Sequence, residues 1–254
     1  MCLIVFSLFD KEISEKTSSK KNSLILIANR DEFFERPTRS MQWNRGILSG
    51  IDEEAGGTWF GVSKEGKFGA ITNYREASKQ ERPMKSRGLI ITNYLKKKDI
   101  LAKEYFNTLD KEHYAGFSLL LSDKKGVHFF SNRCERHINL KPGVNVLGNY
   151  LLNTQTNKVK KATKDFSLFL DRNYNYNQEK AFNFMKSDFM EGKEVKKGIS
   201  EGKELPSRFI KSSEYGTRCT TYLSVDPSGL YRVAEQNYER NGKIGSKKQF
   251  EFRV

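Results

Sequence analysis

The chain has 254 residues, 37% hydrophobic and 12% aromatic, with 18 Phe and 11 Tyr, enough apolar bulk to fill one domain over residues 1–254. Lys and Arg outnumber Asp and Glu by 45 to 31, but the lysines sit in small scattered groups such as Lys20–Lys21, Lys96–Lys98 and Lys160–Lys161, interleaved with Ser, Asn, Thr and Glu. That pattern is a solvated basic surface, and no nucleic-acid recognition signature accompanies it.

In chain order, CLIVFSLF (2–9) is rich in strand formers, and the polar segment 10–23 after it reads as a loop. SLILIANR (23–30) is apolar on both sides, as in a buried strand, and GILSGID (46–52) reads as a third strand. TWFGVSKEGKFGAITNY (58–74) is a hairpin turning at Lys64-Glu65-Gly66. Helices follow at 87–97, ending in lysines, and at 99–112, where Ala102, Tyr105, Phe106 and Leu109 share a face and Asp99 is placed to cap.

GFSLLLSDKKGVHFFSN (116–132) is a second hairpin, and VNVLGNYLL (144–152) a short strand running into a loop. Val159, Ala162, Phe166 and Phe169 mark a helix, and Ala181, Met185 and Phe189 predict another over 178–190. The glycine-containing polar segment 191–207 reads as a surface loop. A hairpin over 219–238, around Asp226-Pro227-Ser228-Gly229, and a strand at 248–254 close the chain. Grouped strands, grouped helices and many hairpins predict an α+β fold with largely antiparallel sheets.

Three separated cysteines, Cys2, Cys134 and Cys219, make no disulfide framework and fit a reducing compartment. The apolar start lacks a basic flank and a cleavage site, and no stretch has the length of a membrane span. The expectation is a soluble, cytoplasmic protein with a small-molecule substrate and no nucleic-acid partner.

Cys2 follows the initiator methionine, and removal of Met1 would put a thiol and a free α-amine on one residue. An α-amine with a reference pKa of about 7.7–8.0 can take the proton of its own thiol, so nucleophile and base coincide. The alternative is a buried strand cysteine. Asn29-Arg30-Asp31-Glu32 ends the second strand: the arginine favours a thiolate and a carboxylate can hold the α-ammonium. In GGTWFG (56–61) the glycines suit a tight turn, and Trp59 with Trp43 could line a substrate pocket. Cys134 and His137 have metal-like spacing, but no second pair completes a four-ligand site.

The N-terminal MC, ANRDEFFERPT, GGTWFGVSKEGKFGAITNYRE and EYGTRCTTYLSVD, in this order, resemble the NRDE family, whose eukaryotic members are the transport and Golgi organisation protein 2 homologues. That family is similar to N-terminal nucleophile hydrolases of the choloylglycine hydrolase type, which cleave non-peptide amide bonds. The resemblance implies a four-layer α-β-β-α sandwich of two antiparallel sheets and no required cofactor. It implies Cys2 as nucleophile, Arg30 near the thiol, Asp31 on the α-amine, Asn73 and Asn149 at the oxyanion, and Arg218 as the late arginine. In choloylglycine-type enzymes the Arg and Asp are three residues apart; here they are adjacent, and adjacent strand residues point to opposite faces. Both reach Cys2 only where the strand ends or bulges, and Glu32 is the alternative carboxylate. Family members linked to heme trafficking imply a second expectation, a non-catalytic carrier of heme or a lipid-like ligand on the same fold.

Overall fold

In the computed structural model of the protein, residues 2–10, 22–76, 84–172, 176–200 and 203–254 are described. Most of the first polar loop, residues 11–21, lies outside them, Lys20–Lys21 included. The chain begins with β1 (Cys2–Leu8), β2 (Leu24–Phe33), β3 (Thr38–Asn44), β4 (Ile47–Asp52), β5 (Phe60–Ser63) and β6 (Phe68–Asn73). Next come helices α1 (Gly88–Lys96) and α2 (Ala102–Asn107), then β7 (Phe117–Asp123), β8 (Gly126–Ser131), β9 (Cys134–Asn139) and β10 (Gly143–Leu147). Helices α3 (Asn157–Arg172) and α4 (Gln178–Lys186) precede β11 (Phe189–Glu191) and α5 (Lys193–Ser200). The chain ends with β12 (Phe209–Lys211), β13 (Tyr215–Val225), β14 (Leu230–Tyr238) and β15 (Ile244–Arg253).

These elements form two compact units, one of Met1–Glu35, Pro142–Gly148 and Asn153–Arg253, the other of Arg36–Lys141 and Asn149–Leu152 with Val254. The first unit holds a six-stranded antiparallel sheet in the order β10-β1-β2-β13-β14-β15. Leu3, Val5, Ile25, Ile27, Val146, Tyr222 and Ala234 project from one face onto Val159, Ala162 and Phe166 of α3 and Ala181, Phe182 and Met185 of α4. The alternation that puts Leu3 and Val5 under the helices turns Cys2 and Ile4 to the opposite face. The second unit is a seven-stranded antiparallel meander, β3 to β9 in sequence order, so each connection is local. Ile90, Ile91, Tyr94 and Leu95 of α1 and Tyr105 and Phe106 of α2 pack on Phe117, Leu119, Leu121 and Phe130 of this sheet. The α+β class and antiparallel sheets follow the sequence expectation, with one small exception: β11 and β12 pair in parallel.

Three local expectations differ. Helix α4 stops at Lys186 rather than running to 190, because the chain turns at Asp188, whose carbonyl accepts the Phe209 amide at 2.9 Å and whose carboxylate accepts the Arg208 amide at 3.1 Å. Phe189 is therefore a half-exposed strand residue with the Lys211 ammonium 3.4 Å over its ring. The segment 191–207 is not all loop: Val195 and Ile199, four apart, pack α5 against Leu205, Ile210 and Tyr215. Its Gly198 makes room for Leu205, whose Cδ2 would lie 2.4 Å from an added Cβ. Asp99 does not cap α2; the Ala102 amide donates instead to Asp123 Oδ2 at 2.7 Å, and Glu104 accepts the Leu101 amide at 3.2 Å.

Candidate active site

Register along three neighbouring strands assembles the first part of the site. Cys2 of β1 stands opposite Arg30 of β2, and Arg30 stands opposite Cys219 of β13. Directly paired antiparallel residues share a face, so Cys2, Arg30 and Cys219 line the face away from α3 and α4. Cys2 and Cys219 are two strand spacings apart, about 9–10 Å, which exceeds the reach of a disulfide.

Strand β2 is continuous to Phe33 and the extra residue of the irregularity beside it lies on β13, so Asp31 follows the alternation to the face opposite Arg30. There Thr217 Oγ1 donates to Asp31 Oδ1 at 2.7 Å and accepts the Ile210 amide at 3.0 Å. The Tyr215 hydroxyl donates to the Asp31 carbonyl at 3.1 Å. Thr217 reaches Asp31 because β13 shifts register between Thr217 and Cys219, leaving Arg218 as the extra residue. The bulge aims Arg218 outward: its Nη1 donates to the Phe33 carbonyl at 2.8 Å and its guanidinium lies 5.1 Å over the Phe34 ring. Asn29 is also buried on the helix face, accepting from Thr220 Oγ1 at 2.7 Å and donating to the Arg208 carbonyl at 2.8 Å. Glu32 is partly exposed and accepts the Phe33 amide at 2.9 Å.

The ionisable groups are strongly conditioned by burial. Burial pushes the Cys2 thiol up, and the Asp31 charge adds to this, while the Asp31 amide hydrogen bond and the Arg30 guanidinium work against it. Burial also raises the Asp31 carboxyl, against which the Lys158 charge and the Thr217 hydrogen bond act. Cys219 is raised well above an ordinary thiol by burial, then by the Glu235 charge. Arg218 is lowered by burial and by Arg30.

The remaining candidates lie in the second unit. Asn73 is exposed at the end of β6, and its carbonyl accepts Asn149 Nδ2 at 2.9 Å. Asn149 is 2% exposed, and its Oδ1 has no hydrogen-bond partner among the described residues. Trp59 is half-buried with its ring laid on Gly50, where an added Cβ would come within 2.4 Å of Cη2. Trp43 is half-buried on β3, with the Lys64 ammonium 5.7 Å over its ring.

A heme iron would need an axial ligand, and the histidines offer little. His128 is engaged at both ring nitrogens, with His137 Nε2 at 3.0 Å and Asp123 Oδ1 at 3.1 Å, while His113 pairs with Asp110 at 2.5 Å. Cys134, with the metal-like spacing to His137, is partly exposed, and no group of three or more metal-ligating side chains occurs among the described residues. Sequence reading missed Lys158, Thr217 and Tyr215. Thr217 adjoins Arg218 in the GTRC motif and was findable there; Lys158, inside NKVKK, carries no signal that separates it from a solvated lysine.

The model of the family described as Transport and Golgi organisation 2 matches residues 1–240. The chain is 39% identical to the Transport and Golgi organization 2 homolog of Mus musculus and 38% identical to the homolog of Homo sapiens. Each match runs over 173 residues, 63% of this chain and 60% of the relative, so the chain spans less than two thirds of those proteins. Among solved structures, the Caenorhabditis elegans N-acylethanolamine-hydrolyzing acid amidase ortholog is similar, with a TM-score of 0.51 and 11% identity. The likeness covers 87% of this chain and 92% of that one, and places the antiparallel sheets and helices in the N-terminal nucleophile hydrolase fold. No helix among the described residues is long and apolar enough to cross a membrane.

Proposed function

Because the chain belongs to the Transport and Golgi organisation 2 family and has the fold of an amide hydrolase, we propose that it is an N-terminal-cysteine hydrolase of a small amide or acyl substrate. The observation that carries this reading is the row Cys2–Arg30, with the Asp31 amide on the thiol and its carboxylate buried behind. Once Met1 is removed, the Cys2 α-amine takes the thiol proton. The thiolate adds to the substrate carbonyl carbon, the C–N bond breaks with the proton passing to the leaving amine, and water then cleaves the thioester. Arg30 favours the thiolate, Asp31 or Glu32 holds the cationic amine, and Arg218 steadies substrate charge. The resemblance gives Asn73 and Asn149 the oxyanion, and Trp43 and Trp59 the substrate contacts. The three free cysteines fit a reducing compartment, which supports a cytoplasmic protein.

The test is a panel of amides and thioesters with Cys2→Ala and Cys2→Ser. Turnover that vanishes in both while circular dichroism is unchanged supports the reading; turnover that survives Cys2→Ala removes it. One observation favours a second reading. A thiol pushed up by burial is mostly protonated near neutral pH and is a weak nucleophile. On that reading the fold carries heme or a lipid-like ligand without Cys2 chemistry, and hemin titration should give a saturating Soret band that survives in Cys2→Ala.

A further inference from the structure

Asp123, His128 and His137 form a hydrogen-bonded chain in the seven-stranded sheet. Asp123, at the end of β7, accepts the Ala102 amide and the Lys125 amide, each at 2.7 Å. Burial would raise its carboxyl, but these bonds and the His128 contact hold it below the ordinary range. An ionised carboxylate only accepts, so the His128 Nε2 that lies 3.1 Å from Asp123 Oδ1 carries a proton. In the neutral pair His128 Nδ1 then accepts, and His137 Nε2 donates to it at 3.0 Å. His128 is 4% exposed and His137 is half-buried, so water meets the chain at its His137 end.

The backbone beside this chain is poorly paired. β9 is an edge strand, and its ladder to β8 joins Phe129 to Ile138 and Ser131 to Cys134, so residues 135–137 face Phe130 alone. Side chains span that gap. The His137 ring stacks on Phe130 at 4.9 Å, Phe130 stacks on Phe106 of α2 at 4.6 Å, and His137 bonds His128.

One proton added to the pair leaves the bond intact, because one of the two facing nitrogens keeps its lone pair. A second makes both facing nitrogens donors and both rings cations, 3.0 Å apart. The charged groups around the pair are Asp123 of β7, Lys103 of α2, Lys67 ahead of β6, and Lys111 over the Phe106 ring, with the neutral Tyr94 of α1 beside Asp123. Of these only Asp123 favours a further cation. Burial, then the His128 and Lys103 charges, lower His137.

We propose that His128 and His137 form an acid-sensitive latch on the sheet edge: their hydrogen bond holds β9 to β8 across the bulge, and the second proton taken up by the pair opens it, freeing β9 and uncovering Phe130. The latch does not depend on the chemistry of Cys2.

The experiment is nitrogen-15 NMR of the full chain, with amide exchange read along β8 and β9 against the central β6 and β7. A scalar coupling through the N–H···N bond between His128 and His137 should be present at pH 7.5 and lost on acidification. The open latch has an ordinary histidine value of about 6.5 and the closed one a lower value, so closure is complete above about 6.5 and is lost as pH falls through the closed value. Protection of the Leu140 amide, which donates to the Val127 carbonyl at 2.8 Å, should fall by up to about tenfold per pH unit in that window, relative to β7. His137→Phe keeps the stack on Phe130 and should remove the acid step. His113, exposed and paired with Asp110, is the control titration. No coupling at pH 7.5, a coupling that persists to pH 5, unchanged β9 protection between pH 7 and 5, or an equal step in His137→Phe overturns the proposal. Should His137→Phe fail to fold, the wild-type coupling and exchange decide it alone.

Discussion

Thr217→Val separates two contributions of one hydroxyl. Thr217 is fully buried, donates to the Asp31 carboxylate at 2.7 Å and accepts the Ile210 amide at 3.0 Å. Leaving the Ile210 amide unpaired costs about 1–3 kcal/mol at any pH. Losing a hydrogen bond to a charged group costs about 1.5–3 kcal/mol more, but only while Asp31 is ionised; this equals about one to two units in its pKa. Burial already raises Asp31, and Thr217 holds it down, so the substitution raises it further. A carboxyl raised in the folded state contributes stability that is full below the unfolded value, about 3.9, and is lost as pH rises through the folded value. Raising the folded value makes that loss larger. The destabilisation by Thr217→Val therefore grows as pH rises from about 4 to 7, while Thr217→Ser keeps the hydroxyl and stays nearly flat. Urea unfolding of the three proteins across this range is the assay. A Thr217→Val deficit that is constant with pH would refute the reasoning.

Gly57→Ala should destabilise by about 1–3 kcal/mol or more, because an added Cβ would lie 2.4 Å from the Gly88 carbonyl carbon, backbone against backbone. Gly143→Ala meets no atom within 4 Å and pays only for its positive φ of 135°; equal urea midpoints for the two would refute the close-approach argument. His137 is lowered by burial, then by the His128 and Lys103 charges, so its contribution to stability is intact above the unfolded value of about 6.5 and is lost as pH falls through it. His137→Phe, which keeps the ring stacked on Phe130, should flatten the fall in stability between about pH 7 and 5.5; an unchanged slope would count against it. Iodoacetamide at neutral pH should label the partly exposed Cys134 well before the buried, strongly raised Cys219, and mass mapping that finds Cys219 labelled as fast would contradict the packing.

The strands that bury two faces or alternate cleanly, such as LILIA and FSLLL, were legible because composition and period agree. β3, of which only Met41 is fully buried, and β9, rich in charge, carry no such period and were missed. Helix α5 hid behind Gly192, Gly198 and its lysines, since only Val195 and Ile199 mark its inner face. The Asn29–Glu32 motif was visible as chemistry, but which face each side chain takes is a matter of register, and register depends on partners far along the chain. The bulge at Arg218, and with it the Thr217 contact to Asp31, exists only once β13 is laid beside β2.

The central claim concerns Cys2 as a nucleophile on a mature N-terminus. The most direct measurement is the intact mass and peptide map of protein from its native cells after exposure to a panel of activated acyl esters. The account predicts a chain lighter by one methionine and a thioester on Cys2, absent from Cys134 and lost in Cys2→Ser. A chain that keeps Met1, or acyl groups no more frequent on Cys2 than on Cys134, would contradict it.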